Sequence, residues 1–485
     1  MIAYTFGVWK GSTASAVRSN QPGKLPLFST LLWDLFMISL PRTCTSILFL
    51  LLMLAPLISE EPKKLTREEK VRGDREKVLS SGYWIYNDFQ KGLAEAKETG
   101  KPLVVVLRCI PCEECVKLDE EIMESDPVLR PLLDKYVRVR IVGTNGLDLN
   151  LFQYDYDQSF AVFLMNADKT IYGRFGTRSH RTDWTSDVSI EGLAKAMAQG
   201  LKLHDNYPQN QALFQGKQGD EPLYPSPEKF PSLKDKYTAT LNYEGDVVKS
   251  CIHCHQIGDA QKAVFRDQAK PIPDKYLFPY PHPKSIGMII DPSETNTLKE
   301  VTSDSIAAKA GLQADDELVS LNGQVILSIA DIQWVLHHCD DTDSVAAVVE
   351  RGDKKIDVSI ELPKGWRQQD DLSWRVSTWP MRRMVLGGLV LEEATVDQRK
   401  AAGIKDPSKM ALRVRFMGRY GDHALAMKSG FKVDDILVAF DGQDDLVRET
   451  DLIAYATANC PPGDKVAIKV IRDGQPRTIN LPMQK

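Results

Sequence analysis

The C-terminal half of the chain contains an internal repeat. The paired segments are 307–324 with 426–443, 331–338 with 451–458, and 345–362 with 466–483. Several matching elements in one order, at a nearly constant offset, indicate that one structural unit occurs twice. We therefore expect two small, mainly β modules at residues 283–364 and 384–485, joined by a linker at residues 365–383.

Both copies share a motif, AGLQADD in the first and SGFKVDD in the second, followed by apolar residues and an Asn-Gly or Asp-Gly pair. This motif resembles PDZ domains of the bacterial envelope-protease type. The resemblance implies a partly open barrel in which a peptide adds as a strand between one strand and one helix. It also implies that a glycine-containing loop holds the peptide carboxylate. The matching loop residues are Ile286, Gly287, Met288 and Ile289 in the first copy, and Leu386, Gly387, Gly388 and Leu389 in the second.

Relatives with such modules often carry a serine protease domain. The sequence contains neither Gly-x-Ser-Gly-Gly nor Gly-x-Ser-x-Gly, and no segment is long enough to hold that domain. We therefore expect no serine protease activity. The modules are predicted to recruit peptides or partner proteins.

Cysteine spacing points to chemistry in the N-terminal half. Of eight cysteines, three lie together at Cys109, Cys112 and Cys115, and two at Cys251 and Cys254. Clustering of this kind is more typical of reactive or cofactor-binding sites than of a disulfide scaffold.

The first cluster follows a helix and a strand. Apolar spacing predicts a helix over residues 89–99 that ends at Gly100, and the run from Leu103 to Leu107 predicts a buried strand. The cysteines come next, and an amphipathic segment follows them. A cysteine at the start of a helix is stabilised as the reactive thiolate by the helix dipole.

This segment resembles the thioredoxin-like family, especially its exported branch, which has an AxxxxKP signature before the strand. The family register implies that Cys112 is the nucleophile, Cys115 the resolving thiol and Cys109 an accessory thiol. Phe160 stands where the family has a cis-proline, which departs from its pattern for substrate docking. We expect an α/β thioredoxin-like domain at residues 81–205 that acts on disulfide-containing substrates, with a structural disulfide as the alternative.

The second cluster has the sequence CIHCH, from Cys251 to His255. Two cysteines at this spacing form thioethers to haem, and the following histidine binds the iron, so we predict covalent haem c on Cys251, Cys254 and His255. A zinc site and a disulfide are the alternatives. The motif falls in a loop-rich segment, residues 206–282. Candidate sixth ligands are His282, Met288 and, more weakly, His204.

Three adjacent residues of the first module, His337, His338 and Cys339, superficially resemble a metal cluster. They fall where a predicted helix ends, and consecutive helical residues point in different directions, so we expect them to be structural. The three linker tryptophans are likewise expected to pack the linker against the modules. They are Trp366, Trp374 and Trp379.

An apolar run near the N-terminus, from Ile47 to Ile58, follows Arg42 and precedes a charged stretch. About twelve apolar residues are too few to cross a bilayer but suit a signal peptide. Residues 1–59 are therefore predicted to be an extension plus a signal peptide or membrane anchor, with the start at Met1 or Met37. Residues 60–80 are predicted to be a charged linker, and the rest to lie in the periplasm or cell envelope.

Length and composition fit this organisation. A chain of 485 residues is expected to form three or four domains, and a net charge of −5 gives no indication of nucleic-acid binding. We expect no nucleotide cofactor. The sequence thus predicts a multidomain, exported thiol-disulfide redox protein with PDZ modules and haem. The alternative is a non-enzymatic envelope adaptor with a degenerate thioredoxin fold.

Overall fold

The computed structural model describes most of the chain: residues 65–108, 126–158, 160–180 and 186–485. The apolar leader, Cys109, Cys112 and Cys115 lie outside these residues. Within the described ranges, no helix is both long and apolar enough to cross a membrane.

A five-stranded sheet with the order β1-β3-β2-β4-β5 forms the N-terminal part of the fold. Its strands are β1 (Ile85–Tyr86), β2 (Leu103–Arg108), β3 (Val137–Val142), β4 (Phe160–Met165) and β5 (Ile171–Phe175). Strand β2 is parallel to β3 and antiparallel to β4, and all of its residues are buried. The predicted apolar strand is therefore central, because both of its faces are covered.

The described residues of this part form the helices α1 (Arg67–Ser81), α2 (Phe89–Thr99), α3 (Leu129–Leu133) and α4 (Ile190–Asp205). Helix α2 has the predicted bounds, with an Asp88 cap at its start and Gly100 in the left-handed conformation at its end. The stretch expected to be a charged linker instead forms most of α1. Thr66 and Glu69 form a capping box there, and Gly82 ends the helix.

Residues 206–282 consist mainly of turns, as the sequence predicted, with three helices: α5 (Val247–Ser250), α6 (Cys254–Asp267) and α7 (Asp274–Leu277). The segment shares its core with the sheet, since Phe230, Ile252 and Ile257 are buried in one cluster with Val105 and Phe163. It therefore covers one face of the sheet and does not form a core of its own.

The two repeats share most of their element order. The first contains β6 (Met288–Ile290), β7 (Leu298–Val301), α8 (Ile306–Lys309), β8 (Glu317–Leu321), β9 (Gln324–Val325), α9 (Ile329–His338), β10 (Asp343–Arg351) and β11 (Lys354–Leu362). Helix α10 (Thr378–Leu386) precedes the second. The second contains β12 (Leu389–Glu393), α11 (Val396–Ala401), β13 (Leu412–Met417), α12 (Leu425–Ser429), β14 (Ile436–Phe440), α13 (Glu449–Asn459), β15 (Lys465–Arg472) and β16 (Gln475–Pro482). Among the described residues of the repeats, helix α11 lies between the first two strands of the second repeat and has no counterpart in the first, and strand β9 of the first has no counterpart strand in the second.

One hydrogen-bond network occurs in both repeats. In the first, Arg351 bonds both carboxylate oxygens of Asp316 and the carbonyl of Gly311. The same contacts in the second are made by Arg472, Asp435 and Gly430. Identical bonds at equivalent positions show that the sequence repeat is also a structural repeat.

The linker between the repeats is folded. Trp366 is fully buried in the core of the first repeat, and Trp374 is also buried, as the sequence predicted. Trp379, in α10, is partly exposed and stacks on His423 with 4.7 Å between ring centroids. The linker thus packs against both repeats.

Candidate thiol sites and peptide grooves

Cys251 lies at the carboxyl end of the central strands. The Gly143 amide, directly after β3, donates a hydrogen bond of 3.4 Å to the carbonyl of Arg108, the last residue of β2. A Cβ atom built on Gly143 would lie 2.8 Å from the Cys251 Sγ, so the two residues are in close contact. Cys109 follows Arg108 directly in the sequence. Arg108, the last described residue before the first cysteine cluster, is therefore bonded to a residue that contacts Cys251.

Both cysteines of the CIHCH motif are buried thiols. Burial, with a smaller contribution from Cys254, raises the pKa of Cys251 to about 12, so this thiol is neutral at physiological pH. Cys254 is the first residue of α6 and accepts a hydrogen bond of 3.2 Å from the Tyr154 hydroxyl.

The two histidines of the motif are partly buried. His255 is partly exposed, and its Nδ1 lies 3.2 Å from Asp259 Oδ2. His253 stacks against His255, with 5.9 Å between ring centroids. Burial lowers the pKa of His253 to about 4, and the neighbouring His255 adds to this shift.

Covalent haem requires two thiols and a histidine that face one porphyrin. The contact of His255 Nδ1 with Asp259 is compatible with iron binding through Nε2. The two thiols, however, are packed against the protein: the Cys251 Sγ lies against Gly143, and the Cys254 Sγ contacts Tyr154. This packing does not fit a bound haem, and the CIHCH segment would have to repack before both thioethers could form. Among the residues that the structure describes, no group of three or more His, Cys, Asp or Glu side chains is arranged to hold a metal ion.

The candidate sixth ligands are engaged elsewhere. His282 Nε2 lies 3.3 Å from Asp187 Oδ1, and Met288 is fully buried in the core of the first repeat. His204 contacts the Tyr172 hydroxyl through Nδ1 and the Gly100 carbonyl through Nε2.

The residues at the end of α9 are structural, as predicted. His337 Nδ1 accepts a hydrogen bond from the Tyr280 amide, and the two rings stack with 4.0 Å between centroids. His338 Nδ1 lies 2.8 Å from the Trp334 carbonyl, and Cys339 is the residue that caps the helix.

The glycine loops of the two repeats align with a one-residue shift from the sequence comparison. The Gly287 carbonyl accepts from the Thr302 amide, and the Gly388 carbonyl accepts from the Gly418 amide, both at 2.9 Å. Gly287 is therefore equivalent to Gly388, and the residues after them, Met288 and Leu389, are both fully buried. Among the eight predicted loop residues, Ile289 is partly exposed. The other seven are buried: Ile286, Gly287, Met288, Leu386, Gly387, Gly388 and Leu389.

Two protein families match parts of the chain. The thioredoxin-like family matches residues 84–167, and the PDZ domain family matches residues 297–351. The chain contains a thioredoxin-like domain and a PDZ domain. The PDZ match falls in the first repeat. The thioredoxin-like match spans β2, the cysteine cluster that follows it, and β4.

Similar proteins also include an envelope protease. A probable periplasmic serine endoprotease DegP-like from Marinomonas sp. (strain MWYL1) is 25% identical over 192 residues, which are 39% of this chain and 37% of that protein. The chain thus covers well under half of the relative's length. Among solved structures, HtrA-type protease AlgW with decapeptide shares 16% identity over 30% of this chain and 49% of that chain, with a TM-score of 0.19. Its AlgWS227A form with decapeptide gives 15% identity, over 29% of this chain and 40% of that chain, with the same TM-score.

A buried charge cluster joins the domains, and the sequence analysis did not identify it. Arg375, in the linker, donates to both carboxylate oxygens of Asp155 at 2.8 Å and lies 3.4 Å from Asp157. Burial raises the pKa of Asp155 to about 6 despite the adjacent guanidinium. The partners are about 220 residues apart in sequence, and no local pattern indicates such a pairing.

Proposed function

We propose that the chain is an exported thiol-disulfide redox protein whose PDZ-type repeats hold protein partners near the reactive dithiol. The observation that supports the redox role is the end of β2. In the sequence, β2 is followed at once by the cluster of Cys109, Cys112 and Cys115. Its last residue accepts a hydrogen bond from the Gly143 amide, and Gly143 is in close contact with Cys251. Export is supported by the apolar leader and by the similarity to a protein described as periplasmic.

The proposed reaction is thiol-disulfide exchange. The Cys112 thiolate attacks one sulfur of a substrate disulfide, forming a mixed disulfide while the other substrate sulfur leaves as a thiolate. The Cys115 thiolate then attacks the Cys112 sulfur, which releases the second substrate thiol and leaves a Cys112–Cys115 disulfide. Two electrons pass from the protein to the substrate, and an external dithiol reductant restores the reduced protein.

Insulin reduction with dithiothreitol as the reductant tests this proposal. We expect turnover by the full chain and loss of turnover in Cys112→Ser. The control is Cys339→Ala, which removes a buried thiol from the first repeat and leaves the reactive cluster intact. Equal insulin reduction with and without the protein would overturn the redox proposal.

A non-enzymatic adaptor is the second candidate, and the interdomain charge cluster favours it. Arg375 and its two aspartates fix the linker to residues that precede β4, so the domains are held together rather than flexibly tethered. A fixed scaffold of this kind suits an adaptor. In that case the Cys112–Cys115 bridge would not cycle with dithiothreitol, whereas partner binding by the repeats would persist.

Haem c on Cys251, Cys254 and His255 remains a separate prediction, and no step above depends on it. An absorption spectrum of protein expressed with cytochrome c maturation machinery, followed by haem staining of a denaturing gel, tests it. A Soret band with covalently retained haem would support the motif assignment. Protein without haem under those conditions would refute it and leave Cys251 and Cys254 as the buried thiols described above.

A further inference from the structure

Helix α10 lies along the groove of the second repeat. The resemblance to PDZ domains places a ligand between β12 and α13. Three residues of one α10 face, Met381, Met384 and Val385, are buried in a single core with Leu391 of β12 and Leu452 of α13. The linker helix thus packs against both elements that would flank a peptide.

The amides of the glycine loop are bonded to the same helix. Both Gly387 and Gly388 donate their backbone N–H to the carbonyl of Arg382, the latter at 3.0 Å. In the expected binding mode these amides hold a peptide carboxylate. Here they end α10, which both glycines permit because their φ angles are +60° and +89°.

The strand that would pair with a peptide is also engaged. The Leu391 amide donates a hydrogen bond of 2.8 Å to Glu449 Oε1. Glu449, the first residue of α13, forms a buried ion pair with Arg382, with 2.5 Å between Oε2 and Nη2. A peptide added along β12 would have to take this amide from Glu449, and Glu449 is held by α10.

We propose that the second repeat binds an amphipathic helix, and that α10 is its built-in ligand. This inference deepens the proposed partner-binding role and rests on it. The ligand chemistry follows from α10: two methionines and a valine at helical spacing, plus an arginine that pairs with Glu449. Helix-in-groove recognition uses such a pattern of anchors. A partner with the same pattern competes with α10, and the groove does not require a free carboxylate.

The test is binding of a labelled, C-terminally amidated peptide with the sequence of residues 376–386 to the full chain, measured by fluorescence anisotropy. Met384→Asp places a charge on the buried face of α10 and should release the helix. We expect this variant to bind the peptide at least about tenfold more tightly than the unmodified chain, in which α10 occupies the groove. Met427→Asp is the control, because Met427 is exposed in the same repeat, and it should behave like the unmodified chain.

A second pair of variants keeps the test decisive if Met384→Asp does not fold. Arg382→Ala removes the partner of Glu449 and should increase peptide binding, whereas Arg383→Ala, its neighbour, should not. Equal binding by the unmodified chain and the folded variants would overturn the proposal, as would an absence of binding to any of them. Binding that requires a free peptide carboxylate would also overturn it. Insulin reduction is measured separately, so failure of the redox proposal leaves this result intact.

Discussion

The two repeats share a fold, but the helix that flanks each groove packs against a different partner. In the first repeat, every residue of α9 from Ile329 to His337 is buried, and the helix faces the edge of the thioredoxin-like sheet. Asp331 accepts from the Arg174 amide of β5 at 3.2 Å and pairs with Lys217 at 2.9 Å. In the second, α13 packs on α10 and leaves several residues partly or fully exposed.

In both repeats the segment before the glycine loop contacts the helix under comparison, which is α9 in the first repeat and α13 in the second. Tyr280 donates its amide to His337 and accepts from Gln333 through its carbonyl, ahead of Gly287. Arg382 pairs with Glu449 ahead of Gly388. The comparison indicates that the first repeat is a joint between domains. In the second repeat the corresponding helix packs against α10 of the linker.

Asp331 and Asp451 occupy matching positions in the aligned helices, and we expect their substitution to give the largest difference in unfolding free energy between the repeats. Asp331→Ala leaves the Lys217 amine buried without its carboxylate, which should cost about 3–5 kcal/mol of unfolding free energy. Asp451 is partly exposed and pairs with Arg448, so Asp451→Ala should cost less than about 1 kcal/mol. Urea unfolding of both variants gives the two values. Equal losses would contradict the view that the first repeat is the joint.

The contact between the thioredoxin-like domain and the first repeat, to which Asp187 and Lys284 belong, should also weaken in acid. Burial alone would raise the pKa of Asp187, but hydrogen bonds from His282, Lys284 and Ser179 hold it well below the usual range. A carboxyl with a lowered folded pKa stabilises the protein above its unfolded pKa, and this contribution is lost as the pH falls towards the folded value. Asp187→Asn should therefore destabilise the protein by about 2 kcal/mol at pH 7.

The difference between Asp187→Asn and the unmodified protein should shrink below about pH 4, near the unfolded pKa of an aspartate. Urea unfolding at several pH values measures it. Exposed Asp422→Asn, in the second repeat, is the control and should show no such trend. A difference that grows in acid would contradict the assigned pairing.

Local features of the fold were predictable from sequence because local interactions determine them. Helix α2 was predicted to the residue, since its apolar spacing and the glycine at its end are both local signals. The residues at the end of α9 were correctly assigned as structural, because adjacent helical positions diverge. The register of the first glycine loop was missed by one residue. The second loop has two adjacent glycines, Gly387 and Gly388, and only the backbone hydrogen bonds show that Gly388 is the one equivalent to Gly287.

Contacts between distant segments were not predictable. Arg375 lies in a polar stretch that resembles a solvated linker, and its partners Asp155 and Asp157 lie between two strands of another domain. The same holds for Cys251, whose neighbour Gly143 precedes it by more than a hundred residues. Charge and spacing identify candidate groups, but tertiary packing alone decides which of them become buried together.

The smallest expected difference between the repeats concerns their matching cysteines. Cys339 and Cys460 cap the ends of α9 and α13, and both are buried. Burial raises the pKa of Cys339 to about 12 and that of Cys460 to about 11. Because the thiolate is the reactive form, iodoacetamide at pH 8 should modify Cys460 faster than Cys339.

Mass spectrometry of alkylated peptides at successive times measures both rates in one sample, so each cysteine is the control for the other. Unfolding in urea should make the two rates equal, because the difference arises from packing and not from sequence. Faster modification of Cys339 in the folded protein would mean that the end of α9 opens more readily than the end of α13. That result would reverse the comparison, because the helix fixed to the thioredoxin-like domain would then be the more mobile of the two.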